Sequence, residues 1–188
     1  MLRPALERGE YRRGSGSLRV WHVITPPGQA SGETDTRVQV TVDSADADVS
    51  LVLQQAFFAD IASRYPGWEP ASSQPVNPSD LAPPDGIWIV AFRDGHAIGC
   101  GGLQRFDAET GEVRRIFLDQ SERGRGTGRR LLVELEEHAK RLGYRRVRLT
   151  TGDGQPEALR MFQSAGYEEI LPFTDGVFTR HWMEKALQ

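Results

Sequence analysis

The chain has 188 residues, of which 38% are apolar and 26% charged, with a net charge of −3 at pH 7; this is enough for one domain with a full core and too little for two ordinary ones. The longest uncharged apolar stretches, such as Ile87–Phe92, are strand length, which excludes a membrane-spanning helix, and the single cysteine, Cys100, excludes an intramolecular disulfide and a cysteine-based zinc site. The slightly negative balance argues against general nucleic-acid binding, and no apolar run follows the N-terminal Met-Leu-Arg-Pro, so a cytoplasmic protein without a signal peptide is expected.

Residues 1–36 read as an extension ahead of a domain spanning 37–188. Arg13–Ser17 and Pro26–Gly32 are turn-forming, and only Leu18–Ile24 between them has strand character. A largely disordered segment is expected here, with an extra edge strand as the one alternative. From Arg37 the pattern is regular. Arg37–Val42 alternates with period 2 and predicts a strand. Asp43 or Ser44 is placed to cap a helix running to about Tyr65, with Val49, Val52, Leu53, Ala56, Phe57 and Ile61 on its apolar face. Residues 66–84 hold 6 of the 11 prolines, which predicts a long stiffened loop of the kind that often carries function.

Ile87–Phe92 and Ala97–Leu103 predict a hairpin, since Asp94-Gly95 suits the two positive-φ positions of a type I′ turn. A third run, Glu112–Leu118, leads into a glycine-rich loop and then a helix whose apolar face is Leu131, Leu132, Leu135, Ala139 and Leu142, ended by Gly143. Arg146–Thr150 is a further strand. Pro156 and Glu157 open a short helix that Gly166 closes, with Ala158, Leu159, Phe162 and Ala165 facing the core. Glu168–Leu171 and about 178–185 complete the order β-α-β-β-β-α-β-α-β-β, an α/β domain with a mixed sheet.

Of the 23 basic residues 21 are arginine, and residues 105–148 carry 12 basic against 8 acidic side chains, whereas residues 31–60 carry 6 acidic against Arg37 alone. Such runs are by default solvated surface, but a local positive excess also suits a polyanionic ligand. Arg123-Gly124-Arg125-Gly126-Thr127-Gly128-Arg129-Arg130 lies inside the basic stretch, between a strand and a helix. Alternating glycines let the backbone lie against a ligand with N–H groups turned inward. The helix that follows adds its own unsatisfied N–H groups and the positive end of its dipole. This is a phosphate cradle in physical terms, set against the plain alternative of a flexible strand–helix connection. It is neither a P-loop, which requires GxxxxGK[ST], nor a dinucleotide-binding turn, which requires GxGxxG early in a βαβ unit.

Glu112–Leu118, the glycine loop and the helix after it together resemble the acyl-CoA-binding signature [QR]-x-x-G-x-[GA] of the GNAT superfamily of N-acetyltransferases. Val147–Gly152 followed by Gln155–Tyr167 is similar to the superfamily's second block, a strand leading to a helix that ends in an aromatic after Ala-Gly. The resemblance covers about residues 37–188 and is strongest over 111–167. It implies a GNAT fold: a mixed, mostly antiparallel central sheet, splayed at the acyl-CoA site and flanked by helices. It also implies acyl, usually acetyl, transfer from acetyl-CoA as co-substrate to an amine within a ternary complex.

By the same resemblance, backbone groups of Ile116, Phe117 and Leu118 would pair with the pantetheine. The loop residues Arg123, Gly124, Arg125, Gly126, Thr127 and Gly128 would take the pyrophosphate. An N–H near Phe117 or Leu118 would polarise the thioester carbonyl. Glu112, at the start of the strand, matches the carboxylate many members use as base, directly or through water; the competing reading is that it pairs with Arg114 or Arg105. Two further positions that the resemblance implies as acetyl-CoA contacts, Gln155 and Phe162, depart from the superfamily pattern. Phe162 stands where many members place a tyrosine that protonates the leaving thiolate, and Gln155 stands where many have asparagine.

Phe162 also motivates a second functional reading, an acyl-CoA-binding sensor or regulatory module with little turnover. The Pro-rich loop with Trp68 and Glu69, and the segment Leu171–Thr179 with Phe173, Asp175 and Phe178, would line the acceptor mouth. This favours a primary amine of a small molecule, amino acid or peptide, without nucleic acid or membrane as partner; a homodimer is left open. Cys100 reads as a small core residue, Tyr167, Trp182 and Met183 as packing, and His96, His138 and His181 have no metal-ligand spacing, so no metal is expected.

Overall fold

The computed structural model describes residues 7–13, 16–22 and 38–188, with side chains from Val38 onward. In the N-terminal part, β1 (Glu7–Arg13) and β2 (Gly16–His22) pair antiparallel as a sheet of their own. The strand expected at Leu18–Ile24 overlaps β2. β1 is a strand at positions where none is expected, and residues 1–6, 14–15 and 23–36, on which the rest of the expectation of disorder falls, lie outside the described residues.

The domain follows the expected order: β3 (Val38–Asp43), α1 (Asp48–Arg64), β4 (Ile87–Arg93), β5 (His96–Arg105), β6 (Thr110–Leu118), α2 (Thr127–Arg141), β7 (Arg146–Thr151), α3 (Pro156–Ser164), β8 (Glu168–Glu169) and β9 (His181–Ala186). The seven strands β3 to β9 form one sheet in the order β3-β4-β5-β6-β7-β9-β8. Every neighbouring pair is antiparallel except β6 and β7. This is the mixed sheet that the element order predicts, mostly antiparallel and flanked by helices as the resemblance implies.

The apolar run of β4 is continuous because both of its faces are covered. Ile87, Ile89 and Ala91 pack with Leu131, Leu132, Leu135 and Ala139 of α2 on one side. Trp88 and Val90 pack with Leu53 of α1 and Leu81 of the Pro-rich loop on the other. The β4–β5 turn has φ of 49° at Asp94 and 79° at Gly95, the two left-handed positions a type I′ turn requires.

The first helix departs from expectation. It begins at Asp48, behind Ala47 as N-cap, rather than at Asp43 or Ser44, and Val52 is exposed. The buried face instead carries two polar side chains, Ser50 and Gln54. The fully buried Trp88 donates its indole N–H to Ser50 Oγ at 2.8 Å, and Gln54 donates to the Ala45 carbonyl at 2.6 Å. An unpaired buried N–H costs about 1–3 kcal/mol, so these bonds rotate the helix away from the phase its apolar residues alone suggest. No helix among the described residues is long and apolar enough to cross a membrane.

Candidate functional site

The parallel pair β6–β7 holds together for only three residues, Thr110 opposite Arg146, Gly111 opposite Val147 and Glu112 opposite Arg148. Beyond Glu112 and Arg148 the strands part, and each runs on toward a glycine-containing segment. On its other flank β6 is bulged. Its pairing with β5 shifts between Phe117–Cys100 and Arg114–Gly102, so Arg115 and Ile116 together stand against Gly101. Arg115 has a φ of 51°, unusual for a residue with a side chain. A bulge re-aims side chains, and here it divides the strand. Val113, Arg114 and Arg115 line one cavity, whereas Ile116, Phe117 and Leu118 line another.

The second of these, of about 360 Å³, runs from Phe57, Ile116, Phe117 and Met161 to Gly124, Gly126, Gly128 and Arg129. Its far end is the glycine turn. Gly124 and Gly126 have φ of 76° and 81°, and a Cβ built on either meets nothing within 4 Å. The first bond of α2 is Arg130 N–H to the Gly126 carbonyl at 3.0 Å. Among the described residues no backbone acceptor faces the N–H groups of 124–129. An anion with several oxygens meets the chemistry of that donor set.

Five charged side chains line this cavity, and four of them form one network. Arg64 reaches Asp60 at 3.0 Å and Glu157 at 2.6 Å, and Arg123 reaches the same two carboxylates at 3.0 and 3.6 Å. Arg123 Nε also donates to the Leu118 carbonyl at 3.1 Å, tying the turn to the end of β6. Burial opposes the Glu157 charge, but its own backbone N–H, Arg64 and Arg123 outweigh it and hold the carboxyl below the usual range.

The other cavity, of about 150 Å³, has aromatic walls from Phe57, Phe58, Tyr65, Trp68 and Phe178, with Thr151, Gln155 and Asp175 among its polar lining. Tyr65 Oη accepts the Gly154 N–H at 3.0 Å, and burial pushes its phenol up from the ordinary value. Arg114 donates to the side chain and carbonyl of Gln74 at 3.0 and 3.2 Å, which fastens the Pro-rich loop over the opening. Trp182 Nε1 donates to the Thr174 carbonyl at 3.1 Å and so fixes the segment between β8 and β9. Phe57 and Gln155 line both cavities. The two chambers therefore meet where β6 and β7 diverge.

Of the residues singled out in the sequence, Ile116, Phe117, Leu118, Arg123, Gly124, Gly126, Gly128 and Gln155 border the larger cavity. Thr127 is buried in the first turn of α2, and Arg125 projects outward beside Glu122 at 4.0 Å. Phe162 and Glu112 also lie outside the lining. Phe162 is buried against Tyr167, with ring centroids 5.9 Å apart, and Met161 lines the cavity in its place. Glu112 is 3% exposed and lines neither chamber. Its carboxylate accepts Gln104 at 2.9 Å and Arg114 at 3.0 Å, which is the Arg114 pairing raised as its competing reading.

Trp68, Asp175 and Phe178 border the smaller cavity as expected, but Glu69 and Phe173 do not; Phe173 stands over Arg148 and Phe106 instead. Sequence reading missed Asp60, Arg64, Met161, Tyr65 and Arg115. The helical spacing 57, 60, 61, 64 carried the first two, while nothing local marks Arg115. Cys100 is fully buried, and its thiol is pushed up by burial, so it is no nucleophile. Among the described residues no cluster of His, Cys, Asp or Glu is suited to a metal ion.

The acetyltransferase (GNAT) family model matches residues 54–167 of the chain. An IAA acetyltransferase of Azospirillum brasilense is 37% identical over 95 residues, 50% of this chain and 61% of its own length. The N-alpha-acetyltransferase RimI of Mycobacterium tuberculosis is 33% identical over 107 residues, 55% of this chain and 63% of its own length. The chain thus spans less than two thirds of either relative. Among solved structures, a GNAT-family acetyltransferase from Staphylococcus aureus is similar with a TM-score of 0.67 at 18% identity, over 80% of this chain and 100% of that one. A GNAT-family acetyltransferase from Elizabethkingia anophelis with acetyl-CoA bound gives 0.58 at 16% identity, over 81% and 100%. At those identities the likeness is one of fold.

Proposed function

The chain belongs to the acetyltransferase (GNAT) family, and from that premise we propose that it transfers an acetyl group from acetyl-CoA directly to a primary amine, both substrates being bound at once. The observation that carries this reading is the meeting of two cavities at Phe57 and Gln155, on either side of the β6 bulge. One ends in a bank of N–H groups suited to a diphosphate, and the other is an aromatic chamber on the scale of a small molecule.

In this reading acetyl-CoA supplies the activated acyl group, and the protein's part is to bind, orient and move protons. The N–H groups of 124–129 hold the diphosphate, with Arg123 and Arg129 beside it. The unpaired flank of Ile116–Leu118 offers backbone groups to the pantetheine, and an N–H near Phe117 or Leu118 polarises the thioester carbonyl. Gln155 orients groups at the junction. The amine nitrogen bonds to the carbonyl carbon as the carbon–sulfur bond breaks. The amine proton passes to a base and the thiolate gains a proton. Glu112 is our candidate for the base, acting through water because it borders neither cavity. Phe162 supplies no proton, so the thiolate, a good leaving group, takes its own from water.

The test is release of free CoA from acetyl-CoA in the presence of an amine panel, measured against a control without protein. Release with mass-spectrometric detection of the acetylated amine supports transfer. Binding of acetyl-CoA without release across the panel would instead favour the sensor reading that Phe162 motivates.

A further inference from the structure

Arg115 is a cation that the fold places in the aromatic chamber, and among the described residues it forms no ion pair, Asp175 being the one carboxylate in the same lining. It is half-buried, its guanidinium lies 4.9 Å over the ring of Phe58, and its one hydrogen-bond acceptor among the described residues is the neutral Gln54 side chain. The neighbouring Arg114 is different, because Glu112 neutralises it at 3.0 Å. Burial lowers the Arg115 pKa and the Arg114 charge lowers it further, against a smaller opposing effect of Cys100; among the described residues no carboxylate contributes. A half-buried charge in such surroundings is stabilised by meeting an opposite charge. The positive φ of the bulge is what turns this side chain into the chamber beside Arg114.

We propose that Arg115 is the docking site for a carboxylate on the acceptor, so that the amine acetylated here is that of a small amino acid with an apolar or aromatic side chain. The inference rests on the acetyl-transfer reading and names its substrate class. A guanidinium stacked on a ring presents its remaining N–H edge in a plane, which matches the two oxygens of a carboxylate. Phe57, Phe58, Trp68 and Phe178 enclose the apolar body. A chamber of about 150 Å³ is below the roughly 300 Å³ at which drug-sized pockets begin, which favours a single residue over a chain.

The experiment has two arms. In the first, phenylalanine, phenylalaninamide and phenethylamine are compared as acceptors with acetyl-CoA, for the native protein and for Arg115→Gln and Arg115→Lys. The amino acid is expected to have a kcat/KM at least about 10-fold above the other two. Arg115→Gln should erase that preference, Arg115→Lys should keep part of it, and the acetyl-CoA Kd should stay within about 2-fold, which also reports folding. Equal use of all three acceptors, or a uniform loss across them in Arg115→Gln, overturns the proposal while acetyl transfer stands.

The second arm needs no turnover. Calorimetry with N-acetylphenylalanine against N-acetylphenylalaninamide should show binding of the acid at least about 10-fold tighter, and the preference should vanish in Arg115→Gln. If no acceptor is acetylated yet this preference appears, the transfer reading fails and the carboxylate site survives. Equal affinity for acid and amide removes the site.

Discussion

The two cavities that meet at Phe57 and Gln155 are built from different material. The larger is finished in main chain, with N–H groups of 124–129 at its end and the unpaired flank of β6 along its side. The smaller is finished in side chains, with ring faces from α1 and two loops and a guanidinium from the bulge. Backbone donors recognise what every diphosphate shares, whereas rings and a single charge discriminate between molecules that differ by one group. In the proposed reading a general donor side and a selective acceptor side therefore coexist on one strand, with the change-over between Arg115 and Ile116.

The sharpest way to break this division is at the glycine turn. Gly126→Val forces a β-branched residue to a φ of 81° and places bulk at the proposed diphosphate site. Acetyl-CoA affinity measured by calorimetry should fall by more than about 100-fold. Unchanged affinity would refute the cradle. Arg115→Gln, described above, should do the reverse and spare acetyl-CoA.

Glu112→Gln is aimed at the seam between the two sides. If Glu112 takes the amine proton, turnover should drop by about 100-fold or more with acetyl-CoA affinity unchanged, and the acidic limb of the pH–rate profile should move. A rise in acceptor KM alone would mean that the residue only positions Arg114. A smaller effect belongs to the wall of charges around the donor side. Glu157→Gln removes one of two carboxylates shared by Arg64 and Arg123, and should tighten acetyl-CoA by about 3-fold at low salt, less at high salt.

The smallest effect serves as a control, since it lies on α2 and borders neither cavity. Burial, and secondarily the charge of Arg141, holds the His138 imidazole down at about 4 against an ordinary 6.5. A pKa depressed by folding means that the unfolded chain takes the proton first. Stability present above about 6.5 is therefore lost as pH falls toward 4. Chemical denaturation should find about 1 kcal/mol less of that loss in His138→Gln, allowing for solvent screening, with both ligand affinities untouched.

The same contrast explains what could be read in the sequence. The donor side is local. Alternating glycines, a strand before them and an amphipathic helix after them occupy consecutive positions, so Gly124, Gly126 and Gly128 were visible as a cradle. The acceptor side draws Phe58 and Tyr65 from α1, Gln74 from the Pro-rich loop, Arg115 from β6 and Phe178 from the segment before β9, and no spacing links them. Arg115 carries a left-handed backbone without the glycine that usually announces one. The start of α1 was misplaced because Ser50 and Gln54 are buried polar residues, and their partners Trp88 and Ala45 are fixed only by the fold. The motif places Phe162 at the cofactor and the apolar phase of α3 places it in the core; packing follows the phase, and Met161 lines the cavity instead.

One extra residue in β6 has a wider effect than its length suggests. It breaks the two-residue rhythm of the strand, so that substitutions at 113–115 are felt in one compartment and those at 116–118 in the other. If the proposed reading holds, the choice of acceptor can be altered by substitution without disturbing the side that holds acetyl-CoA. Removing the inserted position would restore the rhythm and merge the two compartments' fates, and with them the freedom to change one at a time.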